Sequence, residues 1–168
     1  LLDKSREVEK IVMTRPLAAC GPGMGHLPGD IKAKTDPFTK PVMDALKYFL
    51  PPLKLQTYID NETIKFEPLE TMRGENFHNS FVIMDEMQNC SYMQFKMFAT
   101  RIGENTKYIV SGDLRQSDLD TWRFNNSEDI QRRFIDNLVG APGVGYCELG
   151  INDIVRSGIA REIIMRLP

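Results

Sequence analysis

The sequence is short of several things that would point to a function at once. Of its 168 residues, 2 are histidine and 3 are cysteine. Cys20, Cys90 and Cys147 form no C-x-x-C pair, and His26 and His78 stand far apart, so no zinc-like cluster is spelled out. An odd, unpatterned cysteine set fits a reducing compartment, and each thiol is expected to be a small buried hydrophobe. No apolar run approaches the roughly 20 residues that cross a bilayer. No basic leader followed by an apolar stretch opens the chain, so a cytoplasmic protein without a membrane partner is expected. Nor is there an excess of charge of either sign. The balance is 21 basic against 23 acidic residues, net −2, so a nucleic-acid surface has to be a local patch. Repeats and low-complexity segments are absent as well.

What remains is ordinary globular composition, with 42% hydrophobic and 26% charged residues. The length suits one domain with a sizeable core. Short apolar runs punctuate the chain. Lys10 to Met13 reads as a strand ending at Thr14-Arg15-Pro16. Phe81 to Met84 is a second, Lys107 to Val110 a third, Gly145 to Leu149 a weaker fourth, and Thr63 to Glu67 an extra one. Runs without alternation suit strands buried on both faces of a parallel sheet. Helical periods fall between them. Val42, Leu46, Phe49 and Leu50 carry one, stopped by Pro51-Pro52. Ser91 and Gln94 spell a capping box for a helix running to about Arg101. Further helices are expected from Ser127 to Gly140 and from Gly158 to Arg166, while Gly21 to Asp36 reads as an ordered loop. Strand–helix alternation of this kind predicts an α/β fold with a mainly parallel sheet.

The sharpest motif is Phe81-Val82-Ile83-Met84-Asp85-Glu86, the Walker B pattern. A buried strand delivers the first carboxylate to the sheet's carboxyl edge, where ligands of open α/β sheets bind. Asp85 is placed to hold Mg²⁺ through water, and Glu86 to polarise the water that attacks a phosphate. A buried strand that merely ends in acidic loop residues gives the same string. The next strand ends in Gly112-Asp113-Leu114-Arg115-Gln116, and two neighbouring parallel strands would bring both ends to one crevice. Gln116 is then a reporter of the γ-phosphate and Asp113 a nucleotide-side residue; the plain alternative is a turn. Gln88 and Asn89 either orient water and relay between Glu86 and a partner strand, or satisfy turn backbone. Gln88 is grouped with Asp85 and Asp113 as nucleotide-binding.

Among the arginines Arg15, Arg73, Arg101 and Arg156, each one alone is more often a solvated surface residue. Thr14-Arg15 is the best placed for nucleic-acid phosphates, because it sits at a strand end. Gly21-Pro22-Gly23-Met24-Gly25-His26 lacks the Gly-Lys-Ser/Thr ending of a phosphate loop and reads as a plain loop. His26 and His78 are expected to be structural or solvated. Trp122, Phe124, Tyr58 and Phe77, and the methionines Met87, Met93 and Met97, are expected in the core.

Several strings together resemble one family. They are Val12 to Pro16, Leu27-Pro28-Gly29-Asp30, Phe81 to Asn89, Lys96 to Gly103, Gly112-Asp113 with Gln116 and Asp118-Leu119, and Asp153 to Arg156. Their order and spacing resemble the PhoH family of phosphate-starvation-inducible P-loop ATPases, from about Val8 to Arg161. The resemblance implies a RecA-like P-loop NTPase core related to the first domain of superfamily 1 helicases. It also implies ATP and Mg²⁺ binding, ATP hydrolysis and a role in RNA metabolism. By position, Asp85 and Glu86 match the Walker B pair and Gln116 the helicase-type motif III glutamine. Thr14 and Arg15 match a Thr-Arg-Pro motif placed like helicase motif Ia, and Arg156 a late arginine finger, which in a homo-oligomeric ring acts on a neighbouring subunit. Met87, Arg115 and Ser157-Gly158 depart from the family's usual residues without removing an acid or amide the chemistry needs.

The family's Walker A loop is expected before Leu1, so residues 1–168 read as a PhoH-like ATPase domain that is incomplete at its N-terminus. The chain by itself is expected to bind ATP poorly, and to be an ATPase only when that segment is supplied. Two functions follow. One is an ATPase coupled to RNA or other single-stranded nucleic acid. The other is a non-hydrolysing binding module for RNA or protein partners derived from such an ATPase.

Overall fold

The computed structural model describes residues 8–16, 31–72, 74, 76–117 and 127–166. Its centre is a four-stranded sheet of β1 (Lys10–Arg15), β2 (Ile64–Pro68), β3 (Ser80–Met84) and β4 (Lys107–Val110). The order across the sheet is β2-β1-β3-β4, and every pairing is parallel. All four carboxyl ends therefore lie along one edge. The α/β class with a parallel sheet is the one expected from the sequence.

Helices α1 (Ile31–Phe49) and α2 (Pro52–Asp60) lie between β1 and β2 in the chain, and α3 (Tyr92–Ala99) lies between β3 and β4. Two boundaries differ from expectation. Ile31 to Asp36, read as loop, are helical, and α1 runs on through Pro37 and Pro41. Pro51-Pro52 does end α1, but Pro52 also opens α2. A proline in the first turn gives up only an N–H that has no helical partner there anyway. The α3 capping box forms as written: the Ser91 N–H donates to Gln94 Oε1 at 2.9 Å and the Gln94 N–H donates to Ser91 Oγ at 3.3 Å. Gln94 Nε2 also donates to Glu70 Oε1 at 3.2 Å, tying the helix start to the turn after β2.

The core uses one face of the sheet more fully than the other. Val12, Val82 and Met84 are buried, as are Leu55 of α2 and Phe95 and Phe98 of α3; Ile64, in register with Ile11, is buried on the other face. On β1 and β3 the buried residues alternate with half-buried Ile11, Met13, Phe81 and Ile83. Full burial of both faces, expected from the unbroken apolar runs, is thus not what the sheet has. On β4, Ile109 and Val110 are exposed because the strand lies at the sheet edge. Phe77 and Tyr108 pack edge to face beside Phe98, as aromatic core residues. Met87 is buried, whereas Met93 is 70% exposed, so the core expectation fails for Met93: it lies on the outer side of α3.

The chain divides into two compact units, Leu1–Arg132 and Arg133–Pro168. The sheet belongs to the first. The second contains the end of α4 (Ser127–Leu138), a 3₁₀ turn at Ile151–Asp153 and α5 (Gly158–Arg166). The expected strand at Gly145 to Leu149 does not form; this stretch is irregular and exposed. Among the described residues it pairs with no strand. Cys147 lies in it and is exposed, contrary to the buried reading. Cys90 is buried as expected. Burial, helped by the Glu70 charge, pushes its thiol up to about 12, so it stays protonated and unreactive. Cys20, His26, Arg73, Trp122, Phe124, the glycine-rich loop, Leu27 to Asp30 and Asp118-Leu119 fall outside the described residues. Among the described residues no helix is long and apolar enough to cross a membrane.

Candidate active site

The parallel register carries the motif residues to the carboxyl edge together. Thr14 pairs with Met84 and Met84 with Val110, so the next step across the sheet is Arg15, Asp85 and Ser111. The backbone continues the ladder there. The Asp85 N–H donates to the Thr14 carbonyl at 3.0 Å, and the Ser111 N–H to the Met84 carbonyl at 2.9 Å. Ser111 Oγ also donates to Asp85 Oδ1 at 3.0 Å. A strand end thus fixes one carboxylate, with a hydroxyl beside it.

At Glu86 the chain leaves the strand through a left-handed conformation, φ 57° and ψ 42°. This conformation costs a non-glycine residue about 1–2 kcal/mol, and such strain concentrates at functional sites. Glu62, Asn79 and Asn105 also have positive φ; asparagine tolerates it in turns, and Glu62 lies exposed in the turn between α2 and β2. Glu86 differs from Glu62 in how its side chain is held. Its side chain is held from two sides: Arg15 Nη2 lies 2.7 Å from Oε1, and Gln88 Nε2 donates to Oε2 in a short hydrogen bond. Both members of the ion pair keep 30% of their side-chain surface exposed.

Gln88 is 1% exposed and spans two strand ends. Its amide nitrogen serves Glu86, its amide oxygen accepts from the Asp113 N–H at 3.2 Å, and its carbonyl accepts from Ser117 Oγ at 3.0 Å. Gly112 has to be glycine for this to fit. A Cβ there would sit 2.6 Å from Gln88 Oε1 and 2.7 Å from Met87 Cγ. Gln88 thus both bridges Glu86 to the turn after β4 and satisfies turn backbone, so the geometry is compatible with either reading of it.

Asp113, Arg115 and Gln116 form a self-contained turn. Arg115 Nε lies 3.2 Å from Asp113 Oδ1, and Gln116 Nε2 donates to Asp113 Oδ2 at 3.1 Å. Partial burial alone pushes the Asp113 carboxyl up. The hydrogen bonds and charge of Arg115, with a contribution from Gln116, outweigh it and hold the carboxyl below its ordinary range.

Beside this edge lies a cavity of about 190 Å³. Its walls are largely apolar, with Met13, Pro16, Val42, Phe66, Pro68 and Ile83, and its polar lining is Arg15, Thr39, Glu67, Asp85 and Ser111. Met13 is in register with both Phe66 and Ile83, so these three form one row on the half-buried face of the sheet. Thr14 also lines the cavity, is 4% exposed, and its Oγ1 has no hydrogen-bond partner.

A family model described as PhoH-like protein matches residues 2–167. The chain belongs to the PhoH-like family. It is 37% identical over 160 residues to a PhoH-like protein of Synechocystis sp., covering 95% of this chain and 48% of that protein. It is 35% identical over 161 residues to a PhoH-like protein of Bacillus subtilis, covering 96% and 49%. Protein PhoH of Escherichia coli K12 is 37% identical over 161 residues, covering 95% and 44%. The chain thus spans about half the length of these relatives. The parallel α/β sheet agrees with the RecA-like P-loop NTPase core of the PhoH-like family.

The structure brings Arg15, Asp85, Glu86, Gln88, Ser111 and Asp113 into one cluster, with Thr14 behind it and Gln116 on its rim. Arg156 is not part of that description. It lies in the second unit, exposed, in the turn after Ile151–Asp153. Arg101 is half-buried, and its charge opposes the burial that pushes the Tyr108 phenol well up. His78 is exposed and accepts from the Glu104 N–H through Nδ1 at 3.2 Å, a structural role in its loop. Tyr58 is half-buried on α2 beneath the Lys54 ammonium, rather than in the core. Sequence reasoning missed Ser111 and the Arg15–Glu86 pair. The small polar residue directly after the third apolar run was the available signal for Ser111; nothing local announces the pair.

Proposed function

We propose that this chain carries the hydrolytic half of a nucleotide site that splits ATP, in a protein that handles RNA or other single-stranded nucleic acid. One observation carries the reading. A strand-end carboxylate, Asp85, is followed by a second, Glu86, in a left-handed backbone conformation, with its side chain paired to Arg15 from the β1 end and held by Gln88 of its own turn, which also bonds the β4 end. The Gln88 hold fixes one oxygen of the carboxylate in place, and positioning with electrostatics supplies most of the catalysis in phosphoryl transfer.

The donor set suits Mg²⁺. Asp85 and Ser111 offer only oxygen, and Mg²⁺ is held through one or two carboxylates plus waters and substrate phosphates. When bound, the ion neutralises charge on the β- and γ-phosphates. In this chain Asp85 would hold it through water. Glu86 accepts the proton of the water whose oxygen attacks the γ-phosphorus, while the bond from phosphorus to the β-bridging oxygen breaks. Gln116 contacts the γ-phosphate, and Gln88 passes its position from the β4 end to Glu86. Arg156 is proposed to act on the nucleotide of a neighbouring subunit in a homo-oligomer.

The test is ATP hydrolysis by the full gene product that carries this chain. Glu86→Gln is expected to lower the rate by about 10²–10⁴-fold, the usual worth of a general base. Unchanged turnover would remove Glu86 from the chemistry. For Arg156, mixing Arg156→Ala with Glu86→Gln protein is expected to restore part of the activity; the absence of rescue counts against action across subunits.

A further inference from the structure

Arg15 stands between two claims. Its guanidinium is paired with Glu86 at 2.7 Å, yet the same residue lines the mouth of the apolar cavity and keeps 30% of its side chain exposed. A guanidinium is a strong partner for phosphate as well as for carboxylate. The cavity beside it, walled by Met13, Pro16, Phe66 and Pro68, takes a flat apolar ring better than a charge. A ring next to an arginine is the footprint of one nucleotide unit, with its base in the cavity and its phosphate on the guanidinium.

We propose that Arg15 is shared between Glu86 and a phosphate of a single-stranded nucleic acid, and is therefore the residue that couples strand binding to the general base. This rests on the reading of Glu86 given above. With no strand bound, Oε1 of Glu86 is committed to Arg15 and Oε2 to Gln88, so the carboxylate is restrained. A strand phosphate that draws the guanidinium away frees Oε1 to accept a proton from water. Gln88 keeps hold of the other oxygen, so the carboxylate stays in position when it is released. No bond is made or broken in this step; one ion pair is exchanged for another. Arg15 is thus a positioning residue.

Coupling of this kind is reciprocal. If phosphate and Glu86 compete for one guanidinium, weakening the Glu86 partner tightens the strand. The experiment uses the full gene product and polyuridylate, read by fluorescence polarisation and by ATP turnover. Glu86→Gln is expected to bind polyuridylate about 5-fold tighter or more, at the low end of typical coupling between two sites. The double variant Arg15→Gln with Glu86→Gln is expected to lose that gain. Arg15→Gln alone is expected to reduce the salt dependence of binding by about one phosphate, a log–log slope change of about 0.7 for a single strand. It is also expected to raise turnover without polyuridylate and to bring the stimulated-to-basal ratio close to one. Arg15→Lys, which keeps a cation, should restore most of the wild-type ratio.

Binding by Glu86→Gln that is no tighter than wild type overturns the proposal, as does lower basal turnover in Arg15→Gln. Should Arg15→Gln fail to fold, the binding shift in Glu86→Gln decides alone. The two readings separate cleanly. A Glu86→Gln protein that still hydrolyses ATP sinks the general base but leaves the competition to be judged by binding. A Glu86→Gln protein that is inactive and binds no tighter sinks the competition alone.

Discussion

In the turn after β3, Gln88 and Asn89 are each 1% exposed, and the Gln88 side chain is fixed at both ends of its amide. In the turn after β4, one strand away, Arg115 and Gln116 are exposed and bond chiefly back to Asp113 within the same turn. The first turn is locked into the sheet by partners far off in sequence. The second bonds largely to itself and meets the first where the Met87 N–H donates to the Ser111 carbonyl, the Asp113 N–H to Gln88 Oε1 and Ser117 Oγ to the Gln88 carbonyl. A site that has to hold a carboxylate still and also sense a ligand has reason to be built this way. The residue proposed as general base sits on the locked turn, and the residue proposed to sense the phosphate sits on the more exposed one.

That contrast can be attacked where the turns meet. Gly112→Ala forces a methyl against Gln88 Oε1 and Met87 Cγ, so the locked turn has to shift. Overpacking of this kind is expected to cost about 3 kcal/mol, read as a lowered midpoint in urea unfolding. Gln88→Leu keeps the bulk but leaves the Asp113 N–H and a Glu86 oxygen without this partner. A loss of about 2 kcal/mol is expected, with a fall in turnover larger than the stability loss explains. Equal stability for wild type and Gln88→Leu would show that the bridge does not hold the turns together. Gln116→Ala, on the more exposed turn, is expected to change stability by less than about 0.5 kcal/mol while still reducing turnover. A large stability loss there would erase the contrast.

The smallest effect concerns pH. The Asp113 carboxyl is held below its ordinary range in the folded state, so its pairing with Arg115 contributes above the unfolded value and is lost as pH falls through the folded one. The more exposed turn is therefore expected to loosen only in acid, below the usual carboxylate range. Hydrogen exchange at the Arg115 and Gln116 amides, followed down the acid range, is the measurement; a change near neutral pH would contradict it.

The sheet was legible in the sequence because its strands are short runs ended by polar or turn residues: Lys10 to Met13, Phe81 to Met84 and Lys107 to Val110 lie within it, and Thr63 to Glu67 overlaps β2 from Ile64 on. The Ser91–Gln94 box was legible because it is local. Gly145 to Leu149 misled because apolar content alone does not make a strand without a neighbour to pair with. Ile31 to Asp36 misled because the glycines and prolines just before Ile31 made the whole stretch from Gly21 read as loop. The Asp85–Glu86 pair was visible as a string, and its carboxyl-edge position followed from the parallel sheet. The Arg15–Glu86 contact was not, since it depends on the register of β1 on β3, which no local pattern states. The same holds for Gly112, whose need for glycine comes from Gln88 and not from its own φ.

The left-handed backbone at residue 86 carries one more consequence. A glycine or asparagine there would relax the chain, and the protein would gain stability by losing its second carboxylate. With Glu86 as the proposed general base, robustness and turnover would pull in opposite directions at a single residue, and keeping glutamate there would be a choice of turnover over resilience.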